Sequence, residues 1–275
     1  MQTIDYVFGD TQFKASFWYP STENMNPAII YIHGGGLMYG NRNDLPQAYL
    51  NMFLKAGYPL LALDYYLAPE KSLSDIVSSL QAGIRYFTTH FTDIGLSSPN
   101  FILFGRSAGA YLSCQLLLGT SIPMPKAFID FYGFANISAP TFKRPNTLYN
   151  SYPLISSDQF ESMLSKTPII NSSIESRFLL YVYARQSQKW AQLVLQQDSE
   201  EQFKSNQVDL FPPTYICHST SDPDVPFSNA ISLKAKIPNA TLTTVPDKMH
   251  DFDRSVTSST LEEYQKVIGW LHTIG

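Results

Sequence analysis

The sequence predicts an α/β protein: a doubly wound, mostly parallel sheet with a helical cap inserted late in the chain. Three observations predict it. Short continuous apolar runs recur, as strands buried on both faces require. Helix-patterned stretches separate them, which makes βαβ units and a parallel sheet. The stretch 134–211 then breaks the alternation with helical pattern and no buried strand, too long for an ordinary connection. The reading is one domain over residues 1–275, with 134–211 inserted into it.

Thr3 to Tyr19 reads as two short strands turning at Gly9-Asp10. Ala28 to Ile32 is an apolar run that stops at His33-Gly34-Gly35-Gly36. Leu45 to Ala56 is helical and closed by Gly57, and Tyr58 to Asp64 is a second buried strand. Ser72 to Phe91 carries Ile76, Leu80, Ile84, Phe87 and Phe91 on one helical face. Asn100 to Phe104 is a strand running into Gly105-Arg106-Ser107-Ala108-Gly109, from which a helix continues to about Leu118. Lys126 to Tyr132 is the next strand. Within the insertion, Ser157 to Leu164 and Ile174 to Gln197 read as helices. The alternation resumes with strand Thr214 to His218, helix Ser228 to Lys236, strand Ala240 to Val245 and a helix from Ser258 to Ile274.

Composition narrows the function. Of 275 residues, 44% are hydrophobic and 15% charged, the balance of a chain that buries a large core. A net charge of −4 without a basic run gives no reason to expect nucleic acid. No apolar stretch approaches the ~18 residues of a membrane span. The start, Met1-Gln2-Thr3-Ile4-Asp5, has no basic region followed by an apolar one, so the two cysteines, Cys114 and Cys217, read as reduced thiols of a cytoplasmic protein. With no HExxH and no paired His/Cys spacing, no metal is expected, and no cofactor.

The strongest chemical signal is Gly105-Arg106-Ser107-Ala108-Gly109 between a buried strand and a helix. That context defines a nucleophile elbow, where a serine sits on a strained turn and its neighbours must be tiny. The alternative, a phosphate-binding turn, lacks a GxGxxG or Walker pattern. His33-Gly34-Gly35-Gly36 after the earlier strand is the second signal: glycines let backbone N–H groups approach a developing oxyanion. His33, Asp64 and Ser107 follow the chymotrypsin order, but that order belongs to an all-β fold. His33 reads instead as a hydrogen-bonding brace of the glycine loop.

HGGG, then Asp64-Tyr65-Tyr66-Leu67-Ala68-Pro69-Glu70, then GRSAG resemble the hormone-sensitive-lipase-like esterases of the α/β-hydrolase fold. The resemblance covers most of the chain outside the insertion. It implies a carboxylic ester hydrolase of short- to medium-chain acyl esters, with a small-molecule ester as its partner. It also implies Gly35, Gly36 and Ala108 as oxyanion donors. The remaining partners of Ser107 should follow in the order Asp/Glu, then His. Of His218, His250 and His272, only His250 has both the order and a loop at the carboxyl edge of the sheet. The loop after Thr214 to His218 offers Asp222 and Asp224 as the acid. The family's Asp followed three residues later by Val-Pro implies Asp222, leaving Asp224 as a turn residue. Asp247 and Asp251 read as solvated loop residues.

Arg106 stands where many of the resembling enzymes carry an acid. It either attracts an anionic substrate group or forms an ion pair behind the elbow. Tyr181, Tyr183 and Trp190 either line the pocket roof or pack their helix onto the core. Two other readings share these residues: an amidase or peptidase, arylformamidase-like or dipeptidyl-peptidase-like, and a catalytically silent binding protein. The latter usually loses one of the three side chains, and here all three are present. The sequence does not specify an oligomeric state.

Overall fold

A computed structural model describes residues 1–20, 26–201 and 211–274. Eight strands form one sheet in the order β1-β2-β4-β3-β5-β6-β7-β8. They are β1 (Gln2–Phe8), β2 (Thr11–Trp18), β3 (Ala28–Ile32), β4 (Leu60–Leu63), β5 (Phe101–Arg106), β6 (Ala127–Phe131), β7 (Thr214–Ser219) and β8 (Ala240–Val245). The hairpin β1–β2 and the β2–β4 pair are antiparallel; the other pairs are parallel. This is the α/β sheet expected from the alternating pattern.

The sheet order explains where a site belongs. From β3 the chain steps outward to β4, then returns to lay β5 on the other side of β3. Between β3 and β5 the winding reverses, and the loops leaving their carboxyl ends diverge into a crevice. Register sets Ile32 beside Gly105. The HGGG loop and the elbow are thereby neighbours, although some seventy residues of chain separate them.

Every residue of β3, β5 and β6 is buried, because helices cover both faces. Alternate side chains feed two cores. One holds Ile30, Ile32 and Leu103 beneath α2 (Leu73–His90) and α3 (Ala108–Leu118). The other holds Ile29, Tyr31 and Phe104 beneath α1 (Gln47–Lys55) and the C-terminal helix Ser258–Ile274, joined by a parallel stack of Tyr49 on Tyr264 at 3.9 Å. α2 starts where Ser72 accepts the Asp75 N–H, and it buries Ile76, Leu80, Ile84 and Phe87 as its periodicity requires. α3 is buried on all sides, which its mostly apolar sequence permits; Ser113 and Gln115 find hydrogen-bond partners in Gly109 O and the Glu201 backbone. Cys114 and Cys217 are buried free thiols.

Between β6 and β7 no strand occurs among the described residues. The segment holds a 3₁₀ turn at Pro140–Lys143, then α4 (Thr147–Asn150), α5 (Ser157–Ser162), α6 (Ile174–Gln186) and α7 (Trp190–Leu195). The expected single helix Ile174 to Gln197 is two: Gln188 takes a left-handed φ of +60° and turns the chain between them. The 3₁₀ turn and α4 have too little periodic pattern to be read in advance. The last part of the expected insertion, 202–210, lies outside the described residues. After β7 come α8 (Ser228–Lys236) and, beyond β8, α9 (Ser258–Ile274). No helix among the described residues is long and apolar enough to cross a membrane.

Candidate active site

Ser107 stands between β5 and α3 with φ +52° and ψ −118°, a strained conformation for a residue with a Cβ. The turn is tight enough to explain its glycines. A Cβ on Gly105 would lie 2.4 Å from the Ala110 nitrogen, and one on Gly109 would lie 2.0 Å from the Ile32 carbonyl oxygen. The strain is held by hydrogen bonds on both sides: Ser107 N–H donates to Phe131 O at 2.8 Å, and Tyr111 N–H to Ser107 O at 3.1 Å.

The Ser107 hydroxyl lies 2.7 Å from His250 Nε2, and His250 Nδ1 lies 2.6 Å from Asp222 Oδ2. A carboxylate only accepts, so Nδ1 carries the proton and Nε2 accepts from the serine. The structure therefore brings Ser107, His250 and Asp222 into one line. Asp222 is fixed further. Its Oδ1 accepts the N–H groups of Asp224 and Val225 at 2.8 and 2.9 Å, and its Oδ2 also takes His218 Nε2 at 3.2 Å. Burial works against the Asp222 charge, but His250 and His218 outweigh it and hold the carboxyl well below its usual range. Burial likewise opposes charge on His250, yet the Asp222 carboxylate raises the imidazole to about 9.

Asp224 does lie in a bend after Pro223, but it has a further role. It is buried, ion-paired to Arg185, and accepts the hydroxyls of Tyr149 at 2.7 Å and Tyr181 at 3.1 Å. Its carboxylate is committed to the cap, which leaves Asp222 to His250. Asp247 caps the N–H groups of Lys248 and Met249, and Asp251 pairs with Arg254. His272 is exposed and stacks on Tyr58. His33 is fully buried, and its Nδ1 donates to Gly34 O at 2.8 Å.

Arg106 forms the ion pair. Its Nη2 donates to Asp253 at 2.7 Å and its Nε to the Tyr132 hydroxyl at 2.6 Å; Asp253 also accepts from Tyr132 and Tyr264, each at 2.6 Å. Asp253 is fully buried and lies three residues beyond His250. The pair thus ties the histidine loop to the elbow strand. Arg106→Met should cost about 3–5 kcal/mol in urea unfolding, because it strands a buried carboxylate. The variant's preference between anionic and neutral esters should not change.

Two side chains expected as possible pocket lining do otherwise. Tyr183 stacks on Phe160 at 4.3 Å, and Trp190 is buried against Phe134 and Phe142. Sequence reasoning overlooked His218 on Asp222, the Tyr132 ring set edge-on to His250 at 4.9 Å, and Trp190 on the glycine loop. The Tyr132 and Trp190 contacts depend on tertiary placement; His218 lies only four residues before Asp222, but nothing in its pattern distinguishes it from any other polar residue at a strand end.

Gly35 and Gly36 have φ of +105° and +58°, and a Cβ on Gly34 would lie 3.3 Å from that of Ser107. The N–H groups of Gly35, Gly36 and Ala108 donate to no protein acceptor among the described residues. In front of them opens a cleft of about 720 Å³ whose apolar walls include Tyr39, Leu148, Tyr152, Ile174, Phe178 and Met249. No cluster of potential metal ligands occurs among the described residues.

A parallel sheet reversing at β3 and β5, with a strained serine at that reversal, defines an α/β-hydrolase fold. Comparison with known proteins gives the particular family. The BD-FAE family model matches residues 17–237, and the chain belongs to that family. A Staphylococcus aureus protein of unknown function is 30% identical over the whole chain and 99% of its own, with a TM-score of 0.89. An α/β-hydrolase superfamily protein from Enterococcus faecalis is 26% identical, covers 98% of both chains and has a TM-score of 0.83. A carboxyl esterase of the fungus Tuber melanosporum, 16% identical over 99% of this chain and 85% of its own, shares the fold with a TM-score of 0.70. The chain is also 29% identical over 162 residues to the non-reducing polyketide synthase mapC' of Penicillium brevicompactum. That match spans 53% of this chain and only 7% of the synthase.

Proposed function

We propose that the protein is a serine carboxylic ester hydrolase that works through an acyl-enzyme. The observation that carries this reading is the line from Ser107 through His250 to Asp222, with bonds of 2.7 and 2.6 Å, at a serine held in strain. In the first step Ser107 Oγ adds to the ester carbonyl carbon while its proton passes to His250 Nε2. Asp222 keeps the imidazole in the tautomer that accepts this proton and stabilises the imidazolium. The carbonyl oxygen becomes an oxyanion in front of the Gly35, Gly36 and Ala108 N–H groups. Collapse returns the proton to the departing alcohol. Water then repeats the sequence on the acyl-serine, and no cofactor enters.

The described helices between Pro140 and Leu195 are proposed as the roof of the cleft, with Phe178 and Tyr181 of α6 over the acyl or alcohol group. A cleft of about 720 Å³ with apolar walls supports short- to medium-chain acyl esters. Esterases that share this fold, the Tuber melanosporum carboxyl esterase among them, support the reading. The test is fluorophosphonate labelling with peptide mapping, followed by hydrolysis of p-nitrophenyl acetate, butyrate, octanoate and palmitate. Stoichiometric labelling on Ser107 and turnover that falls steeply at palmitate are expected. A folded, unlabelled protein would remove the reading. Anilides of the same acyl groups should turn over more slowly than the esters; the reverse would make it an amidase.

A further inference from the structure

A glycine loop cannot hold itself still, because each glycine has many backbone conformations open to it. Yet two N–H groups must point at one oxygen. In a trans peptide the N–H lies opposite the preceding carbonyl, so fixing a carbonyl aims the next N–H. The Gly34 carbonyl is held by His33 Nδ1, and the Gly35 carbonyl by the N–H groups of Met38 and Tyr39, each at 3.0 Å. These bonds aim the N–H groups of Gly35 and Gly36. Met38 and Tyr39, however, belong to the same loop, so the aim of the Gly36 N–H is only as fixed as the Gly36–Met38 backbone that carries those two donors.

The insertion fixes that backbone from outside. Trp190 Nε1, 154 residues along the chain and buried, donates to the Gly36 carbonyl at 2.9 Å. The Tyr181 ring fills the space where a Gly36 Cβ would stand, 2.5 Å away. Arg177 Nε donates to the Met38 carbonyl at 2.7 Å, while its terminal nitrogens fork onto Glu70 at 2.9 and 2.5 Å. Gly40 and Ser172 exchange backbone hydrogen bonds of 3.0 and 2.8 Å. Both arginines of α6 are buried in ion pairs, Arg177 with Glu70 and Arg185 with Asp224. Lifting the helices would break all of these together and strand charges out of water.

We propose that Trp190 is a positioning residue for the oxyanion loop, and that the helices from Pro140 to Leu195 are a fixed part of the catalytic apparatus, not a lid that opens at each turnover. Trp190 touches no substrate; it acts through Gly36. The inference rests on the reading that the Gly35 and Gly36 N–H groups receive the oxyanion.

The experiment removes the indole N–H with and without its shape. Trp190→Phe shortens the side chain. Trp190 replaced by β-(3-benzothienyl)alanine keeps the outline and loses only the donor. Wild type and both variants are compared for kcat and KM on p-nitrophenyl butyrate, and for inhibition by an alkyl trifluoromethyl ketone. In that adduct Ser107 Oγ bonds the ketone carbon, its proton goes to His250, and the carbonyl oxygen becomes the oxyanion. The benzothienyl variant should lose about 10-fold in kcat at unchanged KM, a fraction of what deleting a direct donor costs. Its ketone affinity should fall by the same factor. Wild-type kcat and ketone affinity in that variant would overturn the proposal, whatever Trp190→Phe does. A wild-type protein that neither turns over ester nor takes fluorophosphonate on Ser107 would remove the ester-hydrolase reading itself, a result distinct from either.

Discussion

Asp222→Asn should reduce kcat for p-nitrophenyl butyrate by about 10⁴-fold while the protein remains folded. The amide cannot hold His250 with its proton on Nδ1, so Nε2 no longer faces Ser107 as an acceptor. The pH profile should move as well. His250 is held at about 9 by the Asp222 carboxylate. Only neutral imidazole accepts the serine proton, so wild-type kcat/KM should climb with pH through about 9 and level off above it. Without the Asp222 carboxylate, burial opposes the charged ring against only the weaker pull of Asp224 and Asp251, so the residual activity of Asp222→Asn should level off at a lower pH than that of wild type. A rate profile on initial velocities from pH 5 to 10 checks both limbs. The same pairing carries a stability term of fixed sign. It is fully present below about 6.5, where the unfolded chain's imidazole is also charged, and fades as pH rises through about 9.

Ser107→Ala should abolish fluorophosphonate labelling and reduce ester turnover on the order of 10⁶-fold. What remains, about 10³-fold over water, would come from binding and the three N–H donors. The substitution also relieves a residue of side-chain hydrogen bonding without relieving φ +52°, since alanine keeps the Cβ. Thermal melting should therefore stay near that of wild type. A large loss of melting temperature would mean that the Ser107–His250 bond had been holding the loop in place.

The strands were legible because a parallel sheet covered on both faces needs apolar runs at every position. The strand Ala28 to Ile32, buried at every position, stands where the pattern placed it, as do the edge strand Ala240 to Val245 and the helices Ser228 to Lys236 and Ser258 to Ile274. Ser107 was legible because a tight turn restricts its neighbours, and the steric cost of a Cβ at Gly105 or Gly109 explains the restriction. The acid loop was only half legible. Asp222 and Asp224 are two residues apart with similar surroundings in the sequence; what separates them is Arg185, which reaches Asp224 from a helix with no local signature for that contact. Asp253 beside Arg106 was hidden for the same reason. A polar residue that will be buried by distant chain segments looks like any polar residue at a strand end. The single helix read over Ile174 to Gln197 failed at Gln188, where a left-handed residue other than glycine breaks a pattern that otherwise continues.

The placement of Trp190 gives the molecule an optical property. The chain has three tryptophans; Trp190 is 1% exposed, while Trp18 and Trp270 are half-buried at the periphery. Its indole is enclosed by aromatic rings and by the Arg185 guanidinium at 5.0 Å, out of reach of dissolved quenchers. Acrylamide would silence the two outer indoles first, leaving an emission that arises within one hydrogen bond of Gly36. The fluorescence that survives quenching is thus a built-in reporter of events in the cleft, read without attaching any label.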